Sequence, residues 1–265
     1  MTGKQKAPSP QTASQNVSGL LNNQPTTWAL PEETPIALLL NSSPYAVMMA
    51  TPADLQDFAI GFALSEGLVN TASAVANVLV MPADDGFTVD LAIDESHIIR
   101  ERMILRSIEG RVGCGLCGVK EMEDAVRMPP GKLPTSSLNA AAVAKALTAL
   151  PDHQPMNALN KTVHAAAWCS VDGNILLARE DVGRHNALDK LIGAMAQAGS
   201  SPRDGFVLMS SRCSFELVQK CAIVGISALA TVSAPTALAY KLAQQCGMTL
   251  ASLSKLGVMI FDGET

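Results

Sequence analysis

The spacing of apolar residues divides the chain into two regions with different patterns. In the first region, apolar runs at 36–40 and 45–49 predict two strands joined by a turn. Residues 87–93 alternate apolar and polar positions, as a half-buried strand does. Between them, the sequence Thr-Pro-Ala-Asp at 51–54 predicts a helix start with Thr51 as its cap, because apolar residues follow at helical spacing. We therefore expect a small α+β portion here.

In the second region, from about residue 162, predicted strands alternate with predicted helices. Residues 162–169 and 174–179 predict paired strands, and an Ala-rich stretch at 139–150 predicts a helix before them. The elements expected after this pair are helix 186–198, strand 206–209, helix 215–224, strand 226–232, helix 235–246 and strand 249–253. Such alternation is typical of βαβ crossovers and a mixed or parallel sheet.

These patterns predict an α/β protein in three parts. Residues 1–25 are polar, have no apolar run of the length that a secretory signal needs, and are expected to be a loose, disordered tail. An N-terminal α+β portion is expected over 26–128 and an α/β portion over 135–265, since Pro and Gly are concentrated between them. The most apolar stretch, 221–242, is interrupted by Gly, Ser, Pro and Thr, so no membrane span is expected. We expect a cytoplasmic protein with reduced thiols.

Composition narrows the class of protein further. Hydrophobic residues make up 48% of the chain, charged residues 16%, and the formal net charge is -5. Disorder needs low hydrophobicity and high net charge, so most of the chain is expected to fold. The acidic pI of about 5.4 argues against a nucleic-acid partner, which requires a basic face.

Three polar segments, 180–186, 210–214 and 233–236, each connect a predicted strand to a predicted helix. Strand-to-helix loops of a parallel sheet meet at one edge, where ligands commonly bind. Arg184 and Arg212 add positive charge beside unpaired helix N–H groups, which together suit a phosphate or pyrophosphate.

Ordinary helix capping is the alternative explanation of these segments. Asp181, Ser214 and Ser233 belong to the preferred capping residue types. Arg184 then pairs with a nearby carboxylate, Glu180 or Asp189. Both interpretations stay open at this level.

The most specific motif is the sequence GCGLCG at residues 113–118, which contains Cys114 and Cys117. Two cysteines at this spacing suit a disulfide, a redox pair, half of a zinc site or a nucleophilic thiol. No second such pair exists among the other cysteines, so a closed structural metal site is not expected. The flanking glycines leave the thiols accessible and the backbone mobile, which suits a sulfur atom carried between two places. The cysteines expected to be small core residues are Cys169, Cys213, Cys221 and Cys246.

Taken together, the motifs resemble those of the formate dehydrogenase accessory sulfurtransferase family, FdhD. The matching segments are 44–47, 61–67, 113–118, 180–190, 214–220 and 232–239. The resemblance implies a cytidine-deaminase-like mixed sheet with flanking helices, a smaller N-terminal α+β portion and a homodimer. It also implies a sulfur carrier that takes sulfur from a cysteine desulfurase and passes it to the bis-(molybdopterin guanine dinucleotide) cofactor of formate dehydrogenase before insertion.

By this resemblance, Cys114 carries the persulfide and Cys117 is its neighbour in the same loop. The family's cofactor-binding stretch falls on 253–258, where Lys255 keeps one positive charge of the family pattern and Val258 loses the other. The cofactor's pyrophosphates and guanines also account for the polar segments, and GDP or GTP is a suitable mimic. The residues expected to bind the cofactor are Leu253, Ser254, Lys255, Leu256, Gly257, Val258, Arg184, His185, Arg212 and Ser233.

Two other functions remain compatible with the sequence. One is a cofactor-binding chaperone that transfers no sulfur, and the other is a redox protein that uses the CxxC pair. Deaminase chemistry is not expected, because His164-Ala165-Ala166 lacks the glutamate of the zinc deaminase motif.

Overall fold

A computed structural model describes residues 13–100, 131–136 and 138–261. Its strands are β1 (Ser14–Leu21), β2 (Gln24–Pro31), β3 (Thr34–Leu40), β4 (Ser43–Ala50), β5 (Val75–Ala83), β6 (Gly86–Ile93), β7 (His164–Ser170), β8 (Ile175–Asp181), β9 (Gly205–Cys213), β10 (Ala228–Pro235), β11 (Thr249–Ser254) and β12 (Gly257–Phe261). Its helices are α1 (Leu55–Ser65), α2 (Ala140–Ala149), α3 (Pro155–Asn160), α4 (Arg184–Gln197), α5 (Phe215–Ile223) and α6 (Ala237–Cys246). The expected mixed α/β class with flanking helices is confirmed.

A six-stranded mixed sheet has the order β12-β11-β10-β9-β7-β8. Strands β9, β10 and β11 are parallel to one another, whereas β7 runs antiparallel to both β8 and β9. Strand β12 closes the other side by pairing antiparallel with β11. A four-stranded sheet with the order β4-β3-β6-β5 forms from the N-terminal region.

The four inner strands of the six-stranded sheet, β7, β9, β10 and β11, are buried on both faces over much of their length, which explains their apolar sequences. One face packs against α2, through side chains that include Ala165, Ala167 and Val143. The other face shares a single core with α1, α4, α5 and α6 and with the four-stranded sheet. Members of that shared core include Ala166, Trp168, Val207, Leu229, Leu188, Phe58, Ile36 and Val89.

Helices α1 and α4 cross at two glycines. A Cβ at Gly61 would overlap the backbone carbonyl of Asp189, and a Cβ at Gly193 would overlap that of Asp57. Only hydrogen atoms fit between the two backbones at these positions. This contact joins the N-terminal portion to the helix that follows β8.

Residues 14–25 differ from the expected disordered tail. Strands β1 and β2 pair antiparallel from Ser14 opposite Pro31 to Leu21 opposite Gln24. Asn22 and Asn23 form the two-residue turn, with φ of 51° and 66°. Asparagine tolerates this left-handed conformation and is favoured in such hairpin turns. The Asn-Asn pair was therefore a turn signal within a polar stretch.

Helix α1 begins later than the sequence indicated. Its N-cap is Asp54, with φ of 53°, and Leu55 is the first helical residue. Thr51, the expected cap, instead uses its hydroxyl to accept the N–H of Val182 at 3.1 Å. A long-range contact therefore takes the local capping group.

Across residues 13–100, 131–136 and 138–261, every helix is too short or too polar to traverse a lipid bilayer.

Candidate functional site

The carboxyl ends of four strands meet at one edge of the six-stranded sheet. Strand β8 runs in the same direction as β9, β10 and β11, because β8 and β9 both pair antiparallel with β7. The four strands end at Asp181, Cys213, Pro235 and Ser254. Ligands of α/β proteins bind outside such ends. We call this region the carboxyl edge.

Arg212 and Ser233 are neighbours at the carboxyl edge. They are Cα partners in the parallel β9–β10 pair, and both residues are exposed. The expectation that they lie in loops is wrong, since β9 and β10 continue to Cys213 and Pro235 with register shifts along the way. Pairing between the two strands satisfies backbone groups that a loop would leave to other partners. A strand fixes the Arg212 backbone more firmly than a loop does.

Helix capping explains some, but not all, of the polar residues in the three segments that precede α4, α5 and α6. The N-cap of α6 is Thr236, whose hydroxyl accepts the N–H of Ala239 at 3.2 Å, and Ser233 is not a cap. Ser214 is the N-cap residue of α5. At α4 the N-cap is Gly183. The side chain of Asp181 accepts the Gly183 N–H at 2.8 Å.

The stretch 253–258 forms the turn between β11 and β12 at the carboxyl edge. Ser254 pairs with Gly257, so Lys255 and Leu256 are the two turn residues. The hydroxyl of Ser254 donates to the Gly257 carbonyl at 2.8 Å, and Gly257 has φ of 123°. Leu256 is fully exposed. The stretch therefore projects from the sheet at the carboxyl edge.

Arg184 and His185 open α4, directly after β8. The Nε2 atom of His185 lies 3.3 Å from Oε2 of Glu216, which belongs to the first turn of α5. Both side chains are about nine-tenths buried. Burial opposes ionisation of Glu216, but the hydrogen bond and the charge of His185 outweigh it, with help from Ser214 and Arg184. The pKa of the Glu216 carboxyl therefore lies below its ordinary value.

His164 begins β7 and lies near the same cluster. Burial lowers the pKa of the His164 imidazole below 6.5, and the charges of Arg184 and His185 lower it further. Asp181 opposes this shift only weakly. Near neutral pH the ring of His164 is therefore uncharged.

Asp181 and Lys190 hold the turn between β8 and α4. Their charged groups are 2.7 Å apart, and both side chains are fully buried. The Asp181 carboxylate also accepts the N–H of Thr51 at 3.0 Å and the side-chain amide of Asn186 at 3.0 Å. The Lys190 ammonium donates to the Thr51 carbonyl at 2.9 Å. This network positions Arg184 and His185 but presents no charge to solvent itself.

Lys220 joins α5 to α1 and α4. Its Nζ donates to Ser65 Oγ at 2.9 Å, to Glu66 Oε1 at 3.0 Å and to both oxygens of Asp189 at 2.9 and 3.0 Å. It also lies 5.5 Å from the ring centroid of Phe62. Burial raises the pKa of Asp189, and the charge of Lys220 opposes that rise. Asp189 was considered as a partner of Arg184, and it is bonded to Lys220 instead.

Glu180, the other carboxylate considered for Arg184, accepts the backbone N–H groups of Met156 and Asn157, each at 2.8 Å. The run 180–190 therefore contributes to both the core and the carboxyl edge. Its acidic residues and Lys190 make buried contacts that hold the fold together. Arg184 and His185 begin α4 at the carboxyl edge.

Comparison with known proteins decides the family. Residues 31–261 match the model of the FdhD/NarQ family. The chain belongs to this family. The sulfur carrier protein FdhD of Cupriavidus necator is 45% identical over 229 residues, which cover 86% of the chain and 80% of that protein. The protein of the same name from Chromobacterium violaceum is 46% identical over 230 residues, covering 84% of each chain.

A solved structure has the same fold. A protein from Desulfotalea psychrophila, described as a formate dehydrogenase accessory protein, superposes with a TM-score of 0.72 at 24% sequence identity. The superposition covers 94% of the chain and 96% of that protein.

The two cysteines that the FdhD resemblance singled out, Cys114 and Cys117, lie outside the described residues. The other four cysteines of this FdhD/NarQ chain are free and buried, as expected of core residues; they are Cys169, Cys213, Cys221 and Cys246. Burial raises the pKa of each of the four thiols, to about 12 for Cys169 and for Cys213. None of these four is a thiolate near neutral pH.

Sequence reasoning did not single out Glu216. Acidic residues are common in the first turn of a helix, so Glu216 does not stand out by its position alone. Its contact with His185 joins positions 31 residues apart. In hindsight, the acid within the family-like segment 214–220 was the available signal.

A cavity of about 490 Å³ lies away from the carboxyl edge, at the opposite end of α4. Its lining includes Leu64, Val69, Met195 and Ile223. This cavity of the FdhD/NarQ protein is separate from the carboxyl edge.

Proposed function

We propose that this protein is a sulfurtransferase that carries sulfur for formate dehydrogenase. A cysteine desulfurase supplies the sulfur, Cys114 carries it as a persulfide, and the bis-(molybdopterin guanine dinucleotide) cofactor receives it before insertion into the enzyme. Family membership carries this proposal, because relatives about 45% identical over most of the chain are named sulfur carrier proteins. In the loading step, the Cys114 thiolate attacks the terminal sulfur of the desulfurase persulfide. The S–S bond breaks, and the desulfurase cysteine leaves as a thiolate.

The chemistry of the described thiols supports the assignment to the CxxC pair. A thiolate is the attacking species in sulfur exchange. Burial keeps the other four thiols protonated and inaccessible; they are Cys169, Cys213, Cys221 and Cys246. Among the six cysteines of the chain, this leaves Cys114 and Cys117 as the candidates for the reaction.

The carboxyl edge supports the choice of an extended, anionic cargo. Arg184 and Arg212 lie at this edge, and guanidinium groups match phosphate geometry. Strands β8 and β11 are four strand steps apart, which at ~4.8 Å per step separates their carboxyl ends by about 19 Å. One phosphate does not span this distance, whereas an extended dinucleotide does. GDP or GTP would bind to part of the edge.

Intact mass tests the sulfur-carrying step. The protein is incubated with a cysteine desulfurase and cysteine, and the gain of one sulfur atom is measured. We expect Cys114→Ala to abolish the gain, while Cys169→Ala, which changes a buried thiol, keeps it. A Cys114→Ala protein that still gains sulfur at the wild-type level would show that another residue carries it.

Complementation separates sulfur transfer from a chaperone that only binds the cofactor. A Cys114→Ala, Cys117→Ala double variant is expected to leave formate dehydrogenase inactive in cells lacking the native protein. Full activity with this variant would favour the chaperone, because the cofactor would then be delivered without a sulfur-carrying thiol.

A further inference from the structure

The cavity of about 490 Å³ lies where three helices end. Leu64 of α1, Met195 of α4 and Ile223 of α5 line it, and each lies in the last turn of its helix. Cavities of roughly 300 to 1,000 Å³ are the usual size of small-molecule sites. We call this one the helix-end cavity.

The helix-end cavity has an apolar base and a polar mouth. Val69, Ile192 and Ile226 form part of the base, and each is at most 3% exposed. Asn70 and Thr71 also line the cavity, and both are exposed, so they lie at its open side. A ligand that fills it therefore needs an apolar part for the base and a polar part for the mouth.

The three helices close in the same way beside this cavity. Each is followed by a glycine with positive φ, which is 69° at Gly67, 67° at Gly199 and 82° at Gly225. In each case the glycine N–H and the next N–H bond back to carbonyls of the last turn; at α4, Gly199 and Ser200 do so at 3.2 and 2.9 Å. These are Schellman caps, which end a helix with backbone groups and add no charge.

The helix ends make the mouth electronegative. The carboxyl end of a helix carries a partial negative charge, which a basic side chain in the last turn can offset. Helices α1 and α4 have no basic residue there. Lys220, in the last turn of α5, is bonded to Glu66 at 3.0 Å and to Asp189 at 2.9 Å. Among the described residues that line the cavity, none is charged, and the exposed Arg203 lines a separate cavity.

We propose that the helix-end cavity is a binding site for a small aliphatic amine. The hydrocarbon chain lies against the apolar base, and the ammonium group lies at the mouth, where it donates to the oxygens of the helix ends and of Asn70 and Thr71. A phosphate-bearing ligand does not suit this site, because the helix ends repel an anion and no lysine or arginine lines it. The inference therefore goes beyond the proposed function and does not depend on it.

Hexylammonium, hexanol and hexanoate are the probes, since they share one hydrocarbon tail and differ in the charge of the head. The protein is labelled with carbon-13 at the methionine methyl groups, and each probe is titrated near neutral pH by NMR. We expect the signal of Met195 to shift, with hexylammonium binding about fivefold more tightly than hexanol and hexanoate more weakly than either. Met156 is 1% exposed and outside the lining, so its signal is expected to stay unchanged.

Two substitutions test the base and the mouth separately. Ala196→Phe places a ring in the cavity and is expected to abolish the response of Met195, whereas Ala198→Phe, at an exposed position outside the lining, retains it. Asn70→Lys supplies an ammonium group at the mouth and is expected to remove the preference for hexylammonium over hexanoate. Asn70→Gln is the uncharged control and keeps that preference. Circular dichroism melting checks that each variant folds.

The outcomes test the site and the class of its ligand. If no probe shifts Met195, or if folded Ala196→Phe responds as the wild type does, the cavity is not a ligand site. If hexanoate binds the wild type as tightly as hexylammonium does, the mouth does not select a cation, and the inference fails. None of these results affects the transfer of sulfur by Cys114.

Discussion

Asp181 and Lys190 form an ion pair at 2.7 Å, and both side chains are completely buried. The pair lies where β8 turns into α4, so the residues before and after Arg184 and His185 are tied to each other. Breaking such a pair by removing one partner leaves a buried charge without its counter-ion.

Lys190→Met is therefore expected to lower the free energy of unfolding by about 3 to 5 kcal/mol. Urea denaturation measures the loss. The double variant Asp181→Asn, Lys190→Met is expected to lose less than the sum of the two single changes, because neither charge remains unpaired. Equal and additive losses would show that the two groups do not interact. Arg100→Met, at the exposed pair with Glu95, serves as the control and changes little.

Gly61→Ala tests the contact between α1 and α4. Its methyl group would overlap the carbonyl of Asp189, so the helices must separate. Overpacking of this kind costs roughly 1 to 3 kcal/mol, and backbone-to-backbone overlap belongs at the upper end. Chemical denaturation is the measurement. Gly19→Ala, where no atom lies within 4 Å of the added carbon, is the control. Unchanged stability in Gly61→Ala would contradict the close crossing.

The buried thiols are expected to resist modification in the native protein. Cys169 and Cys213 have pKa values raised to about 12 by burial, so neither forms a thiolate at the pH of a standard reaction with Ellman's reagent. Reaction of the Cys114→Ala, Cys117→Ala variant should be negligible when folded and should yield four thiols after denaturation. Rapid reaction of the folded variant would contradict the burial of these cysteines.

His164 gives the stability a dependence on pH with a known sign. Its pKa in the folded protein is lowered from 6.5, mainly by burial, so the unfolded chain binds the proton more tightly. Between the lowered pKa and 6.5, the unfolded state carries more protons, and stability falls as pH falls. Urea denaturation at several pH values should show a shallower acid loss in His164→Gln than in the wild type. Parallel profiles for the two proteins would rule out this contribution.

The N-terminal hairpin can be detected with the two tryptophans of the chain. Trp28 on β2 is 42% exposed, and its indole N–H donates to the Asn160 carbonyl at 3.4 Å. Trp168 on β7 is 1% exposed. In Trp168→Phe, acrylamide should quench the remaining emission more than in Trp28→Phe but less than it quenches free tryptophan. Quenching as efficient as that of free tryptophan would mean that the hairpin does not pack against α3.

Local patterns predicted much of the second region, because its elements are defined by continuous apolar runs. The helix expected over 186–198 is α4 (Arg184–Gln197), and Asn139 caps α2 by accepting the Ala142 N–H at 2.8 Å. Strand ends were less predictable. The serine-rich composition around Arg212 and Ser233 indicated loops. The two residues belong to strands instead, because they pair with each other across 21 positions of the chain.

The sequence predicted which segments share an edge of the sheet more readily than it predicted the charge pairs. The rule that carboxyl ends of parallel strands meet predicted that Arg184, Arg212 and Ser233 would lie at one edge, and the family resemblance added the turn at 253–258. It could not assign partners. Lys220 bonds to Glu66, which is 154 residues away, and such a pairing depends on how helices cross rather than on spacing.

Because α1 packs against α4, the C-terminal portion of the chain cannot be separated from the N-terminal portion without exposing its core. Residues 185–195 of α4 are all buried, and part of their cover is a helix from the N-terminal portion. A fragment that begins at residue 131 would therefore expose the inner side of α4 to water, directly after Arg184. The carboxyl edge therefore depends on packing from the N-terminal portion, and neither is a module that can be transplanted alone.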